Sequence, residues 1–208
     1  MANRIRFTTA AQLGEAFPGA ASELGELPEG VSPLDHLATL AADENANPAI
    51  IFAALALPKR ESVWWGCITL RGMGELTGGL DDRAREGLRL AEAWVRHPEE
   101  DERRAAGRYA ESQYFEGPGA WIAFAAFTTS GSLAPAGLQA VPPSPEISGK
   151  CVAMAVMQAT NDPDARQRLA NLRVAIESAR DFASGGDGTA PWKRRAAERG
   201  MKAAANAG

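Results

Sequence analysis

Very few residues of this 208-residue sequence belong to the types that perform acid–base, nucleophilic or metal chemistry. The histidines are His36 and His97, and neither has further histidine, cysteine or carboxylate groups at a spacing typical of metal ligands. The cysteines, Cys67 and Cys151, both lie in apolar runs, where burial would raise the thiol pKa and suppress nucleophilic reactivity. The sequence therefore predicts no catalytic residue, no metal site and no cofactor.

The glycine-rich and acidic stretches do not alter that prediction. Segment 185–188, Gly-Gly-Asp-Gly, lacks the following lysine and serine or threonine of a phosphate-binding loop. Residues 99–102, Glu-Glu-Asp-Glu, would point around a helix rather than converge, and Arg103 and Arg104 follow to neutralise them. We interpret the first as a flexible exit and the second as the solvated start of a helix.

One set of candidates for molecular contact is Arg60, Glu61, Trp64 and Trp65. Adjacent residues of a helix point about 100° apart, so both tryptophans are buried only if neighbours enclose that helix on two sides. The alternative exposes one of them as an anchor for a partner. Arg60 and Glu61 are expected to make a partly buried polar contact there.

The best interaction candidate is the basic tail, represented by Trp192, Lys193, Arg194 and Arg195. Five Lys or Arg against one Glu give the chain from Pro191 onward a local charge of +4, whereas the whole chain carries −4. A single aromatic residue and this small charge disfavour nucleic acid. An acidic protein surface and a merely solvated tail both remain open.

The elements that must position these residues are predicted to be helices punctuated by proline and glycine. In 81–97, Ala84, Leu88, Ala91 and Val95 form one apolar stripe, with the Glu92–Arg96 pair assigned to the other side. A strand alternative stays open for the short apolar runs 62–70 and 151–157. The predicted helices span 10–17, 33–43, 48–57, 58–71, 81–97, 99–115, 120–128, 145–161 and 164–183.

Three helix-proline-helix joints, at Pro58, Pro98 and Pro163, favour an all-α bundle of stacked αα-hairpins, with solenoid-like curvature left open. We expect a helical domain over 1–184 and a flexible or loosely docked basic tail over 185–208. The N-terminus shows no apolar signal region, and no segment approaches the about 20 apolar residues of a membrane span. The sequence therefore predicts a soluble, cytoplasmic protein.

Four segments resemble an uncharacterised bacterial family over most of 34–183. They are Pro-Lys-Arg-Glu-Ser-Val-Trp-Trp-Gly-Cys at 58–67, Ala-Glu-Ala-Trp-Val at 91–95, Trp-Ile-Ala-Phe-Ala-Ala-Phe at 121–127 and Gly-Ser-Leu-Ala-Pro at 131–135. The resemblance implies membership of a family in which some members are associated with type VI secretion gene clusters, and it carries over no functional residue.

Taken with the missing catalytic groups, this predicts a non-enzymatic adaptor that acts through protein–protein interaction, with secretion-system components as candidate partners. The candidate surfaces are the Trp64/Trp65 helix start, the loop 131–145 and the basic tail. The alternative is an enzyme or small-ligand binder whose helical pocket uses Arg60, Glu61 and His36, and deep convergence of ionisable groups would distinguish it.

Overall fold

The computed structural model describes residues 3–206, with side chains described as far as 201, and is all-helical within that range. The prediction of an all-α bundle is confirmed: the helices pack against one another, and the runs 62–70 and 151–157 are helical. The helices are α1 Ala11–Ala16, α2 Ala21–Leu24, α3 Pro33–Ala42, α4 Asn47–Ala56, α5 Lys59–Thr77, α6 Asp82–Arg96, α7 Glu100–Ser112, α8 Gly117–Phe127, α9 Ile147–Ala159, α10 Ala165–Ala183 and α11 Ala190–Asn206.

Capping residues fix several helix starts where the sequence predicts them. Ser32 accepts a hydrogen bond from the backbone N–H of Asp35 at the start of α3, and Asp81 accepts one from Ala84 at the start of α6. Asp164 accepts one from Arg166 at the start of α10. Each cap satisfies a backbone donor that the first helical turn leaves without a partner.

The core is centred on α5, α8 and α9. Helix α8 is apolar all round and packs against α6, α7 and α9, while α5 runs along α9 with Val63, Trp65 and Leu70 fully buried. Helices α6 and α8 approach closely, because a Cβ on Gly87 would lie only 2.1 Å from the carbonyl oxygen of Gly119. Glycine at 87 is therefore a packing requirement rather than a helix break.

Helix α5 is longer than its glycines suggest. The prediction that Gly72 and Gly74 end it near residue 71 is wrong: it continues to Thr77 and ends at Gly78, whose φ of 88° is left-handed. Both internal glycines lie under large side chains, Gly72 under the indole of Trp192 and Gly74 under Leu80. Their missing Cβ atoms make room for neighbours, so the helix continues through them.

The basic C-terminal segment contains a helix that packs against α5 and α10. In α11, Trp192 is 2% exposed, and Arg199 donates a 3.3 Å hydrogen bond to the Leu76 carbonyl. The turn before it is joined to α10, since Ser178 donates to the Gly188 carbonyl and Asp181 accepts from the Gly188 N–H.

Two arginines of α7 hold the proline-rich loop between α8 and α9. The buried Arg103 donates to the carbonyls of Phe127 and Ser132, and Arg104 donates to that of Ala134. The loop exposes Leu138 at its outer turn.

None of the helices in the described range combines the length and apolar character that crossing a bilayer requires.

Candidate functional site

The first turns of α5 form one wall of a surface cleft of about 400 Å³. Arg60, Glu61 and Trp64, all named from the sequence, line it together with residues from the N-terminal segment and from the ends of α6 and α10. We call this the arginine cleft, and its remaining lining residues are Arg4, Val95, Arg96 and Phe182.

Two of its arginines are held in place by backbone carbonyls. Arg60 donates from Nε to the Val95 carbonyl at 2.7 Å, which joins the start of α5 to the end of α6. Arg4 donates from Nη1 to the carbonyls of Phe182 and Gly186, and its guanidinium carbon lies 4.0 Å from the centre of the Phe182 ring. These contacts restrict the side chains before any ligand binds.

The third arginine of the cleft, Arg96, is held by the buried carboxylate of Glu92, which the sequence analysis placed on the wrong side of α6. Glu92 was assigned to the outer side of α6, but its side chain is only 8% exposed. Its Oε2 accepts from Arg96 Nη2 at 3.2 Å, and its Oε1 forms an ion pair with Arg71 that lacks aligned hydrogen-bond geometry. Because Arg71 lies 5.7 Å from the Trp64 ring centre, Glu92 holds one cation near that ring and another in the arginine cleft.

The arginine cleft carries a net positive charge. Its lining contains three arginines and one carboxylate, Glu61, which forms no ion pair with the described residues. Arg60 makes its single side-chain hydrogen bond through Nε, so both Nη groups lack a partner in the described range. The expected polar contact at the start of α5 thus links Arg60 to α6 and not to its neighbour Glu61. The surface can accept a carboxylate or another anion.

The adjacent tryptophans have different positions. Trp64 is half-buried in the wall of the cleft, whereas Trp65 is completely buried and donates from Nε1 to the Ala175 carbonyl at 3.1 Å. Trp65 therefore holds α5 against α10 and offers no surface to a partner, because helices enclose that side of α5. Of these two residues, Trp64 is the one that a partner can reach.

The four tail residues named from the sequence do not form one surface. Trp192 and Lys193 line a second cleft of about 330 Å³ on the other side of Trp64, which we call the indole cleft; Arg71, Glu75 and Asp187 supply its other charges. Arg194 and Arg195 instead line a groove between α10 and α11. There Arg194 pairs with Glu177, and Arg195 donates to Gln167 Oε1 at 2.9 Å.

The histidine of the alternative pocket lies away from the arginine cleft. His36 packs edge-to-face on Phe52, with ring centres 4.9 Å apart, and its buried Nε2 has no hydrogen-bond partner in the described range. Burial lowers the pKa of this imidazole, which favours its neutral form. The structure does not bring Arg60, Glu61 and His36 together in one of the described clefts.

Neither cysteine is arranged as a nucleophile. Burial raises the pKa of the Cys67 thiol well above its usual range, and the nearby Glu92 carboxylate adds to that effect. Burial also raises the pKa of Cys151 to about 12. Both thiols are therefore protonated and unreactive at neutral pH. Across the described residues, no group of three or more histidine, cysteine or acidic side chains is placed to hold a metal ion.

The fold and the site together define a class of protein, namely an all-helical protein with a cationic cleft beside a half-buried tryptophan. The chain belongs to the family of unknown function DUF6931, whose sequence model matches residues 36–183. No curated protein and no solved structure matches it. The matched range contains most of the arginine cleft, while Arg4 and residues 187–193 lie outside it.

Sequence reasoning missed Arg4, Arg96 and Phe182 as parts of the cleft. Arg4 and Phe182 are 178 residues apart, and only the packing of the N-terminal segment on the end of α10 brings them together. The i,i+4 spacing of Glu92 and Arg96 was a usable signal for Arg96. It indicated that the residues pair, but not that the pair is partly buried.

Proposed function

We propose that this protein is a non-enzymatic helical adaptor that binds other proteins, and that the arginine cleft receives an acidic segment of its partner. The observation that carries the proposal is the convergence of Arg4, Arg60 and Arg96 on one cleft walled by Trp64 and Phe182. Such a surface complements a peptide that carries carboxylates next to an apolar or aromatic side chain.

The chemistry of these side chains favours binding over catalysis. A guanidinium stays protonated at every physiological pH, so these arginines donate hydrogen bonds and positive charge but do not exchange protons. The planar donor fork matches the two oxygens of a carboxylate. A half-buried tryptophan next to arginine is also typical of the residues that contribute most to interface affinity.

The order already present in the cleft strengthens the proposal. Arg60 is fixed by Val95, Arg4 by two carbonyls and Arg96 by Glu92, so a partner would immobilise few additional rotamers. Arg60 keeps both Nη groups for an incoming acceptor. A charge-assisted hydrogen bond contributes about 1.5–3 kcal/mol to an interaction.

The resemblance to a bacterial family with members in type VI secretion gene clusters suggests which partners to test first. We propose cytoplasmic components of such a contractile machine, in particular those with acidic, aromatic-containing surface segments. This assignment depends on the resemblance, whereas the acidic character of the partner depends on the cleft itself.

The test uses a synthetic peptide of alternating glutamate and leucine with one tryptophan, titrated into the full chain by calorimetry at low and moderate salt. We expect Arg60→Gln and Arg96→Gln each to weaken binding by about tenfold or more, because each removes charge-assisted contacts. Arg89→Gln is the matched control: Arg89 is exposed on α6, pairs with Glu86 and lies outside the cleft.

The peptide with every glutamate replaced by glutamine should bind much more weakly to the unmodified protein. Equal binding of both peptides, or an equal loss with Arg89→Gln, would contradict the proposal. Recovery of an acidic partner from native cells by the unmodified chain, but not by Arg60→Gln, would extend the result to a physiological protein.

A further inference from the structure

The indole cleft is separate in its chemistry from the arginine cleft, although Trp64 contributes to both. It lies between α5 and the start of α11, and its volume of about 330 Å³ is at the small end of the range for small-molecule sites. Trp64 and Trp192 provide aromatic walls, and the polar groups include Glu75, Asp187 and Lys193.

Trp192 is tightly packed, and its indole has a donor without a partner among the described residues. The residue is 2% exposed, and its ring lies so close to α5 that a Cβ on Gly72 would be 2.4 Å from it. Its buried Nε1–H has no acceptor among the described residues. A buried donor without a partner is costly, and such groups are commonly satisfied by water or a bound molecule.

The charged groups of the cleft are only partly paired within the protein. Arg71 shares the Glu92 carboxylate with Arg96, whereas the side chains of Glu75 and Lys193 make no hydrogen bond or ion pair in the described range. Asp187 Oδ1 accepts from the backbone N–H and the hydroxyl of Thr189 at 2.9 and 2.8 Å. These bonds lower the pKa of Asp187 and fix the carboxylate, while its other oxygen is left for a cation.

We propose that the indole cleft binds a compact zwitterion, namely a free amino acid with an apolar or aromatic side chain. Its ammonium group pairs with Glu75 and Asp187, and its carboxylate pairs with Lys193. The side chain packs against Trp64 and Trp192, whose aromatic surfaces also favour an ammonium group nearby. A ligand of one charge alone would leave either the carboxylates or the lysine without a partner.

The proposal is independent of peptide binding in the arginine cleft, because its charged residues line only the indole cleft. Asp187, Trp192 and Lys193 also lie beyond the range 36–183 that matches the family. The inferred ligand is therefore recognised in part by a segment outside the matched range.

The test is calorimetric titration of the full chain with L-phenylalanine and L-leucine. Two derivatives serve as chemical controls: N-acetyl-L-phenylalanine lacks the ammonium group, and L-phenylalanine amide lacks the carboxylate. We expect saturable binding of at least one free amino acid with a dissociation constant of about 1 mM or lower. If phenylalanine binds, each of its two derivatives should bind at least roughly tenfold more weakly. If leucine binds, its N-acetyl and amide forms replace the phenylalanine derivatives as controls.

The variants Glu75→Gln and Lys193→Met should each weaken binding by about tenfold, because each removes one of the two charge contacts. Glu86→Gln and Arg89→Gln change charge by the same amounts on the exposed face of α6 and should leave affinity unchanged. Circular dichroism confirms that each variant stays folded. No saturable binding up to about 10 mM, equal binding of the derivatives, or unchanged affinity in both cleft variants would overturn the proposal.

Discussion

The indole of Trp192 lies directly against the backbone of Gly72, and this contact joins the C-terminal helix to the long helix α5. A Cβ added at Gly72 would lie 2.4 Å from two atoms of the ring, far inside van der Waals contact. Trp192 is almost fully buried at this position. The glycine therefore makes room for the ring, and the ring determines where α11 lies on the bundle.

Replacing Gly72 with alanine should destabilise the protein. Alanine is the better helix former by about 1 kcal/mol, but its methyl group would displace the indole and loosen α11, with an overpacking cost of typically 1–3 kcal/mol. We expect the net effect to be a lower melting temperature and faster amide exchange in α11, measured by calorimetry and hydrogen exchange.

Gly200 provides the matched control for that substitution. It is also a glycine within a helix, but nothing lies within 4 Å of a Cβ placed there, so Gly200→Ala should leave stability unchanged or raise it. In a Trp192→Ala background, Gly72→Ala should no longer destabilise. Equal losses in both backgrounds would show that the indole contact is not the cause.

The adjacent tryptophans should respond differently to the same substitution. Trp65→Phe removes ring volume from a fully buried site together with the hydrogen bond from Nε1 to the Ala175 carbonyl, so we expect a loss of about 2–3 kcal/mol in the free energy of unfolding. Trp64→Phe, at a half-buried position, should cost less than about 1 kcal/mol. Chemical denaturation of both variants measures the difference, and a larger loss for Trp64→Phe would contradict it.

Sequence patterns predict local structure well in this chain and its tertiary positions poorly. Capping residues and prolines locate most helix starts, as at Ser32 and Asp81, because those signals act within one turn. The end of α5 was misjudged since Gly72 serves a contact with Trp192, a residue 120 positions away in sequence that no local pattern relates to it.

The same limit applies to the candidate site. Arg60, Glu61 and Trp64 could be selected because a charged pair and a tryptophan open a helix, and they do line one cleft. Arg4 and Phe182 could not, since they come together only through the packing of the N-terminal segment. Trp65 resembles Trp64 in sequence, and only the helices around α5 determine which of the two is buried.

The buried imidazole of His36 should make stability depend on mildly acidic pH. Burial lowers its pKa in the folded protein, so the unfolded chain binds a proton more readily. The stability that depends on neutral His36 is therefore complete above the unfolded pKa of about 6.5. It is lost as the pH falls from that value to the lower pKa of the folded protein. Urea unfolding from pH 7.5 downward should show a steeper decline for the unmodified chain than for His36→Phe.

Phenylalanine is suitable at this position because it has an aromatic ring, can pack against Phe52 and cannot titrate. The exposed His97, replaced in the same way, serves as the second control for a general effect of removing a histidine. If His36→Phe declines with pH as steeply as the unmodified chain, other groups cause the loss.

Glu100 should contribute to stability at a lower pH, through its bonds to two arginines. Both oxygens of its carboxylate accept hydrogen bonds from Arg103, at 2.7 Å each, and Oε1 also accepts one from Arg104. These bonds, and mainly those from Arg103, lower the pKa of Glu100 to about 2. Because the folded pKa lies below the unfolded value near 4.5, the stabilisation is complete above 4.5 and disappears as pH falls toward 2. The difference in unfolding free energy between the unmodified chain and Glu100→Gln should therefore shrink across that interval.

Glu111→Gln, on the exposed side of the same helix, should show no comparable change. A constant difference between the unmodified chain and Glu100→Gln from pH 5 to pH 2 would mean that the Arg103–Glu100 pair does not stabilise the folded state.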